Sequence, residues 1–307
     1  MTDVVVLYGG NSPEREVSIR SGKSVMTALD QAGIAYTSFD TANGLEFLDT
    51  LPKDSVVLPI LHGVGGEDGS IQKELERRGL AYLGATSRVS EVCFDKSKAL
   101  EVFQKNNIPT AAGAVVSQAE YASHPLAKKP HVLKVARGGS SIGTLLVPDP
   151  TAVDKQQVQA LFELDDTAIL VELVQGIEIT VPVLDGKALP VIEIKPPEGG
   201  EFDYENKYNG KTAEICPPVS IDEATQKEAQ HVAERVYEAV GCRHLGRVDI
   251  IVRPDGSMAV LEINTIPGMT DQSLFPKAAE VAGMDFPALV TKFVELARED
   301  GGKQHDV

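Results

Sequence analysis

The chain has 307 residues, 42% of them apolar and 24% charged, an ordinary balance for a soluble globular protein. That length exceeds what one hydrophobic core usually organises, so two or three domains are expected. A net charge of −16 with no basic stretch to offset it argues against a nucleic-acid-binding surface, so any site for an anionic ligand must gather Lys and Arg locally.

The opening MTDVVVLYGG reads as a strand running into a turn. It has no basic leader and no long apolar run, so no signal peptide, no membrane span and a cytoplasmic location are expected. Cys93, Cys216 and Cys242 fit no metal spacing and cannot all pair, which suits buried thiols in a reducing compartment. Val4 to Tyr8 is a short buried strand. Ser12 is placed to cap a helix running to about Gln31, with Pro13 at its first position and Glu14 complementing the dipole. Val17, Ser21, Val25, Met26 and Leu29 form its buried stripe. Strands near Ala35–Phe39 and Val56–Leu61 and a helix at Ser70–Arg78 complete a small doubly wound α/β unit over residues 1–85.

From about Thr86 the pattern becomes α+β. A helix at Lys96–Asn106 precedes strands at Gly113–Val116, His131–Val135 and Gly143–Val147, the last two joined by a glycine-rich loop. This gives a central domain over 86–171 and a C-terminal domain over 172–307. The latter has strands at Ile169–Leu173 (spanning its start), Ile179–Val183 and Val191–Ile194, and helices at Glu223–Val240 and Phe286–Glu299. Residues 196–218 form a long polar segment without periodicity, the signature of an active-site lid or a disordered insert.

Two nucleotide fingerprints fail. Gly210-Lys211-Thr212 ends like a Walker A loop, but Glu205 stands at its first glycine; Gly63-Val64-Gly65 opens a dinucleotide loop, but Asp68 stands at its third. The run from Lys134 through Gly138-Gly139-Ser140-Ser141 does better, because a lysine at a strand end before small residues can hold a phosphate while loop N–H groups approach it. A plain glycine hairpin is the other reading of that run. Likewise Lys96 could be a solvated helix lysine, His62 a satisfied structural histidine, and Glu14 a helix-start acid.

The segment GRVDIIVRPDGSMAVLEINTIPGMT reads as a hairpin. With Asp255-Gly256 as a two-residue turn, Asp249 lies opposite Glu262 and Arg247 opposite Asn264, and all four side chains share one face. Two carboxylates and an amide oxygen there suit Mg²⁺. A solvated face with a cross-strand ion pair fits the same residues, and a one-residue bulge would break the pairing.

Taken in order, GGNSPEREVS, LHGVGGEDGSIQ, KVARGGSSIG, NKY, GRVDIIV and LEINTIPGMTDQSLFPKAA resemble the D-alanine–D-alanine ligases of the ATP-grasp superfamily over essentially the whole chain. The resemblance implies a three-domain ATP-grasp fold: an N-terminal doubly wound parallel-sheet domain and two antiparallel-sheet domains clamping ATP. It implies Lys96, Lys134, Lys207 and the Ser140 loop around the ATP phosphates, and Glu172 or Glu178 at the adenosine. Two Mg²⁺ ions, replaceable by Mn²⁺, would sit on Asp249, Glu262 and Asn264. Arg247 and the Gly268 N–H would form an oxyanion hole. Glu14, with Val17 and His62 nearby, would bind the first D-alanine, Ser140 and Tyr208 completing its hydrogen-bond network, while Ser273 and the Leu274 N–H would take the second. Tyr208 in NKY favours a dipeptide product over D-alanyl-D-lactate, and the family implies a homodimer. Departures are Val135 where the family has proline, an unusually glycine-rich Arg137-Gly138-Gly139, and a segment VELVQGIEITV about one residue short. A ligase for another D-amino or D-hydroxy acid, a nucleotide-binding relative with a decayed site, and a Rossmann-type oxidoreductase are the competing readings.

Overall fold

The structure is a computed structural model that describes residues 4–138, 143–195 and 212–300. It contains one parallel and two antiparallel sheets. The parallel sheet joins β1 (Val4–Tyr8), β2 (Tyr36–Asp40), β3 (Val56–Pro59) and β4 (Ala81–Tyr82) in the order β2-β1-β3-β4. Its strands read as unbroken Val/Leu runs because both faces are covered. Val4, Val6, Val56 and Leu58 pack under α1 (Arg15–Gln31), whereas Val5, Leu7 and Val57 face Ile71 and Leu75 of α2 (Ser70–Arg78).

Helix α1 begins at Arg15, not at the expected Pro13. Ser12 does not cap it: its hydroxyl donates to the His62 carbonyl at 2.7 Å and accepts from the Glu14 N–H at 3.2 Å, so Ser12-Pro13-Glu14 is a turn tied to the loop after β3. Of the expected stripe, Ser21, Val25 and Leu29 are buried, together with Ser18, Gly22 and Ala28, while Val17 and Met26 are half-buried.

After α3 (Ser87–Phe94) and α4 (Lys96–Lys105), the second sheet joins β5 (Gly113–Val116), β6 (His131–Val135), β7 (Thr144–Val147) and β8 (Ala168–Glu172) in the order β5-β8-β6-β7. Helices α5 (Gln118–Ser123) and α6 (Lys155–Leu164) bury Tyr121, Val158 and Leu161 against Leu133, Val135 and Leu170.

The third sheet runs β12-β11-β9-β13-β14, with β10 (Lys187–Ala188) paired to β9. Its members are β9 (Ile177–Leu184), β11 (Ile192–Lys195), β12 (Ala213–Ile215), β13 (Leu245–Val252) and β14 (Met258–Asn264). One face packs Ile179, Val181, Val248 and Ile250 against Val232, Ala233 and Val236 of α7 (Glu223–Val240). Strand β12 corrects the reading of 196–218 as structureless, since Ala213–Ile215 pairs with β11; residues 196–211 lie outside the described residues. The chain ends in α8 (Leu274–Val281) and α9 (Phe286–Asp300). Leu289, Val290, Phe293 and Val294 of α9 enter the same core as Val4 and Val56, so the C-terminal segment returns to the first sheet.

Candidate active site

The β13–β14 hairpin carries the centre of the site. Five residues, Arg253 to Ser257, separate the strands, closed by an Arg253 N–H to Ser257 carbonyl bond of 2.8 Å. The expected two-residue turn is therefore replaced by a longer one. Val252 pairs with Met258 and Ile250 with Val260, a register that by itself would put Leu261 opposite Asp249. A bulge at Leu261 intervenes, and beyond it Asp249 faces Glu262 and Arg247 faces Asn264. The bulge exchanges the faces of β14. Met258 and Val260 before it and Ile263 after it all reach the core, leaving Glu262 and Asn264 on the opposite side with Arg247 and Asp249. The expected pairs are present for a different reason than the one that predicted them.

Arg247 donates from Nε to Asp249 Oδ1 at 3.0 Å and from Nη2 to Oδ2 at 2.9 Å, and Thr180 on β9 donates to the same carboxylate at 2.5 Å. Burial alone would lower the Arg247 pKa, but the charge of Asp249 and its hydrogen bonds outweigh it and raise the value above normal. Asn264 turns its amide oxygen to the Ile266 N–H at 2.9 Å, which starts the loop leading to Gly268 and Ser273.

Arg247, Glu262 and Asn264 line a cavity of about 530 Å³ together with Glu14, Val17 and His62. Lys96, Gly268, Ser273 and Leu274 line it too, so ten of the expected residues meet in one space although they come from all parts of the chain. Lys96 joins two of those parts. Its Nζ donates to the Gly138 carbonyl at 2.6 Å and lies 3.9 Å from Glu262 Oε2. Glu14 is buried against the loop after β3, where a Cβ on Gly63 would stand 2.7 Å from its Oε2. Ser273 precedes α8 and holds Thr270 through the N–H at 3.0 Å and the hydroxyl at 2.8 Å.

Other expected residues are placed elsewhere. Asp249 is buried behind the wall, held by Arg247 and Thr180. Lys134 sits on β6, opposite Thr144 and Ile169, and is not a wall residue of this cavity. Glu172 Oε1 accepts from Arg253 Nη2 at 2.9 Å and from the Ala112 N–H at 3.3 Å, tying the second sheet to the turn of the β13–β14 hairpin. Glu178 lies two residues before Thr180, so it projects from the face that carries Asp249. Ser140, Lys207 and Tyr208 lie outside the described residues. Arg137, which opens the glycine-rich run, is bound to Asp165 by Nε and Nη2 at 3.0 and 2.7 Å.

Several wall residues were not expected. Glu67 accepts from the Gly63 N–H at 3.3 Å and approaches His62 Nδ1 at 3.8 Å, and its place in HGVGGEDG was the signal available. Lys277, bonded to Glu214 at 2.6 Å, and Arg20 also reach the wall. Cys93, which reads as a core filler, is buried but touches the cavity, and burial pushes its thiol pKa up.

A parallel α/β unit followed by two antiparallel sheets, with Lys96 at the start of α4 bridging the Gly138 carbonyl and Glu262 on an acid-and-amide face, is the arrangement of an ATP-grasp ligase. A family profile described as the C-terminus of D-ala D-ala ligase matches residues 101–295. The D-alanine–D-alanine ligase of Methylacidiphilum infernorum is 41% identical over 298 residues, covering 96% of this chain and 95% of the relative. That of Syntrophotalea carbinolica is 38% identical, covering 95% of this chain and 94% of the relative. The structure of the Bacillus anthracis enzyme complexed with ATP aligns with a TM-score of 0.82 at 27% identity, over 98% of this chain and 100% of that one. The chain belongs to the D-alanine–D-alanine ligase family.

Proposed function

We propose that this protein joins two D-alanine molecules into D-alanyl-D-alanine with conversion of ATP to ADP and phosphate, supplying a peptidoglycan precursor. The observation that carries the reading is the single polar face of the hairpin, where Arg247, Glu262 and Asn264 meet the cavity that also holds Glu14, His62 and Gly268, with the Asp249 carboxylate buried behind Arg247.

In this reading Glu14 holds the ammonium of the first D-alanine, with Val17 and His62 beside it. The carboxylate of that D-alanine attacks the γ-phosphorus of ATP, the bond to ADP breaks, and an acyl phosphate results. Lys96 neutralises charge on the phosphoryl oxygens, assisted by Lys134, Lys207 and the Ser140 loop. The amine of the second D-alanine, its carboxylate held by Ser273 and the Leu274 N–H, attacks the acyl carbon and phosphate leaves. Arg247 and the Gly268 N–H receive the oxyanion formed in between. Arg247 suits that task because its charge is permanent and its side chain is already oriented by Asp249. Tyr208 and Ser140 complete the network near the first D-alanine.

Asp249, Glu262 and Asn264 offer only hard oxygen donors, which fits Mg²⁺ or Mn²⁺. Two such ions bound there would neutralise phosphate charge. Of the two adenosine candidates, Glu178 is assigned to the ribose, because it shares the face of Asp249. Domains at 1–85, 86–171 and 172–307, a lid including 196–211, a homodimer and a cytoplasmic location belong to the same reading. Among the described residues no helix is long and apolar enough to cross a membrane.

The test is D-alanine-dependent release of ADP from ATP and Mg²⁺, with the dipeptide identified as product. Absence of turnover, or preference for D-lactate over D-alanine as second substrate at neutral pH, would overturn it.

A further inference from the structure

Three serines near the start of α1 reach across to other segments, and only one of them leaves the N-terminal unit. Ser12 bonds the His62 carbonyl, and Ser18 donates to the Ile60 carbonyl at 2.5 Å while accepting from the Gly9 N–H at 2.8 Å. Both serve to hold the β1 and β3 ends together. Ser21, fully buried, has a different set of partners. Its Oγ lies 3.2 Å from His62 Nε2 and accepts from the Met269 N–H at 3.3 Å, a contact spanning 248 residues.

The chemistry of one hydroxyl orders this junction. A buried O–H needs an acceptor, and Nε2 of His62 is the one the geometry offers. Ser21 therefore donates to His62 and accepts from Met269. His62 then carries its proton on Nδ1, the nitrogen 3.8 Å from Glu67 Oε1. The Met269 N–H belongs to the peptide that follows Gly268, so Ser21 sets the plane next to the N–H assigned to the oxyanion. Met269 itself is buried in the core shared by α1 and α9, which brings its backbone within reach.

We propose that Ser21 is a positioning residue for the ligation step, aligning the Gly268 segment with His62 and the first-substrate side of the cavity. It touches no substrate and acts through His62 and the Gly268–Met269 peptide. The inference rests on the role given above to the Gly268 N–H. Without the hydroxyl, Met269 keeps its buried side chain but loses the bond that orients its peptide, so the acyl-transfer step suffers while ATP binding does not.

The experiment compares wild type, Ser21→Ala, Ser21→Cys and Ser18→Ala, measuring ADP and dipeptide separately together with thermal stability. D-alanine-dependent turnover by the wild type is established first; its absence sinks the ligase reading itself. Given that turnover, Ser21→Ala should lower kcat about three- to tenfold, the scale of one lost hydrogen bond, with KM for ATP unchanged and less dipeptide formed per ADP. Ser21→Cys, nearly isosteric, should recover part of the loss and covers the case in which the alanine variant fails to fold. Ser18→Ala should lower stability without changing the dipeptide-to-ADP ratio. An unchanged ratio in both Ser21 variants, or the same change in Ser18→Ala, would overturn the proposal.

Discussion

Arg247 and Asp249, two residues apart on β13, grip each other through two parallel hydrogen bonds of 3.0 and 2.9 Å with both side chains largely buried. Such a pair orients the guanidinium and the carboxylate at once, so the proposed oxyanion group and one proposed metal ligand are set by a single contact. Breaking it from either side leaves a buried charge without its partner, which costs about 3 kcal/mol or more. Asp249→Asn should lose D-alanine-dependent ADP release by about 100-fold or more. Arg247→Ala should instead keep residual ADP release that no longer yields dipeptide, because the acyl phosphate is lost to water. Separate assays of ADP and dipeptide, with urea unfolding of both variants, decide the matter. Equal loss of both products in Arg247→Ala would contradict the division of roles.

Gly63 and Gly65 both have positive φ, 71° and 88°, but only Gly63 has a neighbour in the way. Alanine at either position carries left-handed strain of roughly 1–2 kcal/mol. At Gly63 the new methyl would also meet the Glu14 carboxylate at 2.7 Å, whereas at Gly65 nothing lies within 4 Å. Gly63→Ala should raise KM for D-alanine several-fold while Gly65→Ala leaves it near wild type. Matching KM values for the two variants would refute the placement of Glu14 at the first substrate.

Asp40 at the end of β2 is held by Arg15, by burial that works against it, and by the Ala42 and Gly10 N–H groups. The Arg15 hydrogen bond dominates and lowers its pKa from 3.8 to about 2. A carboxylate with a depressed native pKa stabilises the fold above its unfolded value, and that contribution is lost as pH falls from about 4 toward 2. Asp40→Asn should therefore lower Tm near pH 6 and differ progressively less from wild type below pH 4. A constant Tm gap across that window would show that the charge of Asp40 is not the stabilising feature.

Glu172 and Glu178 should separate cleanly. Glu178→Gln is expected to raise KM for ATP several-fold. Glu172→Gln weakens the tie to Arg253 and Ala112, so its main effect should be on thermal stability. The opposite pattern in ATP titrations and melting curves would reverse the assignment.

Local patterns announced most of the elements. The Val/Leu runs of β1 and β3 belong to strands buried on both faces, and Ser70–Arg78 and Glu223–Val240 have the bounds their periodicity indicates. Places where a side chain spends its hydrogen bonds outside its own segment were not legible. Ser12 looks like a helix cap until the His62 carbonyl is beside it. Leu261 looks like one more strand residue until the five-residue turn makes a bulge necessary to keep Ile263 in the core. Ala213–Ile215 has no pattern of its own and becomes a strand because β11 offers an edge.

By itself the amino-acid sequence determined which residues could do the chemistry: a strand alternation that sets Arg247 with Asp249 and Glu262 with Asn264, and a family resemblance that implies roles for Glu14, His62 and Lys96. Only the tertiary structure decided that these residues share one cavity, that Lys96 bridges the Gly138 carbonyl and Glu262, and that Ser21 reaches Met269. The reason is physical. Alternation and capping act over a few residues and are written locally. Contacts between residues 21 and 269 depend on α9 returning to the first sheet to bury its own apolar face, which no local pattern specifies.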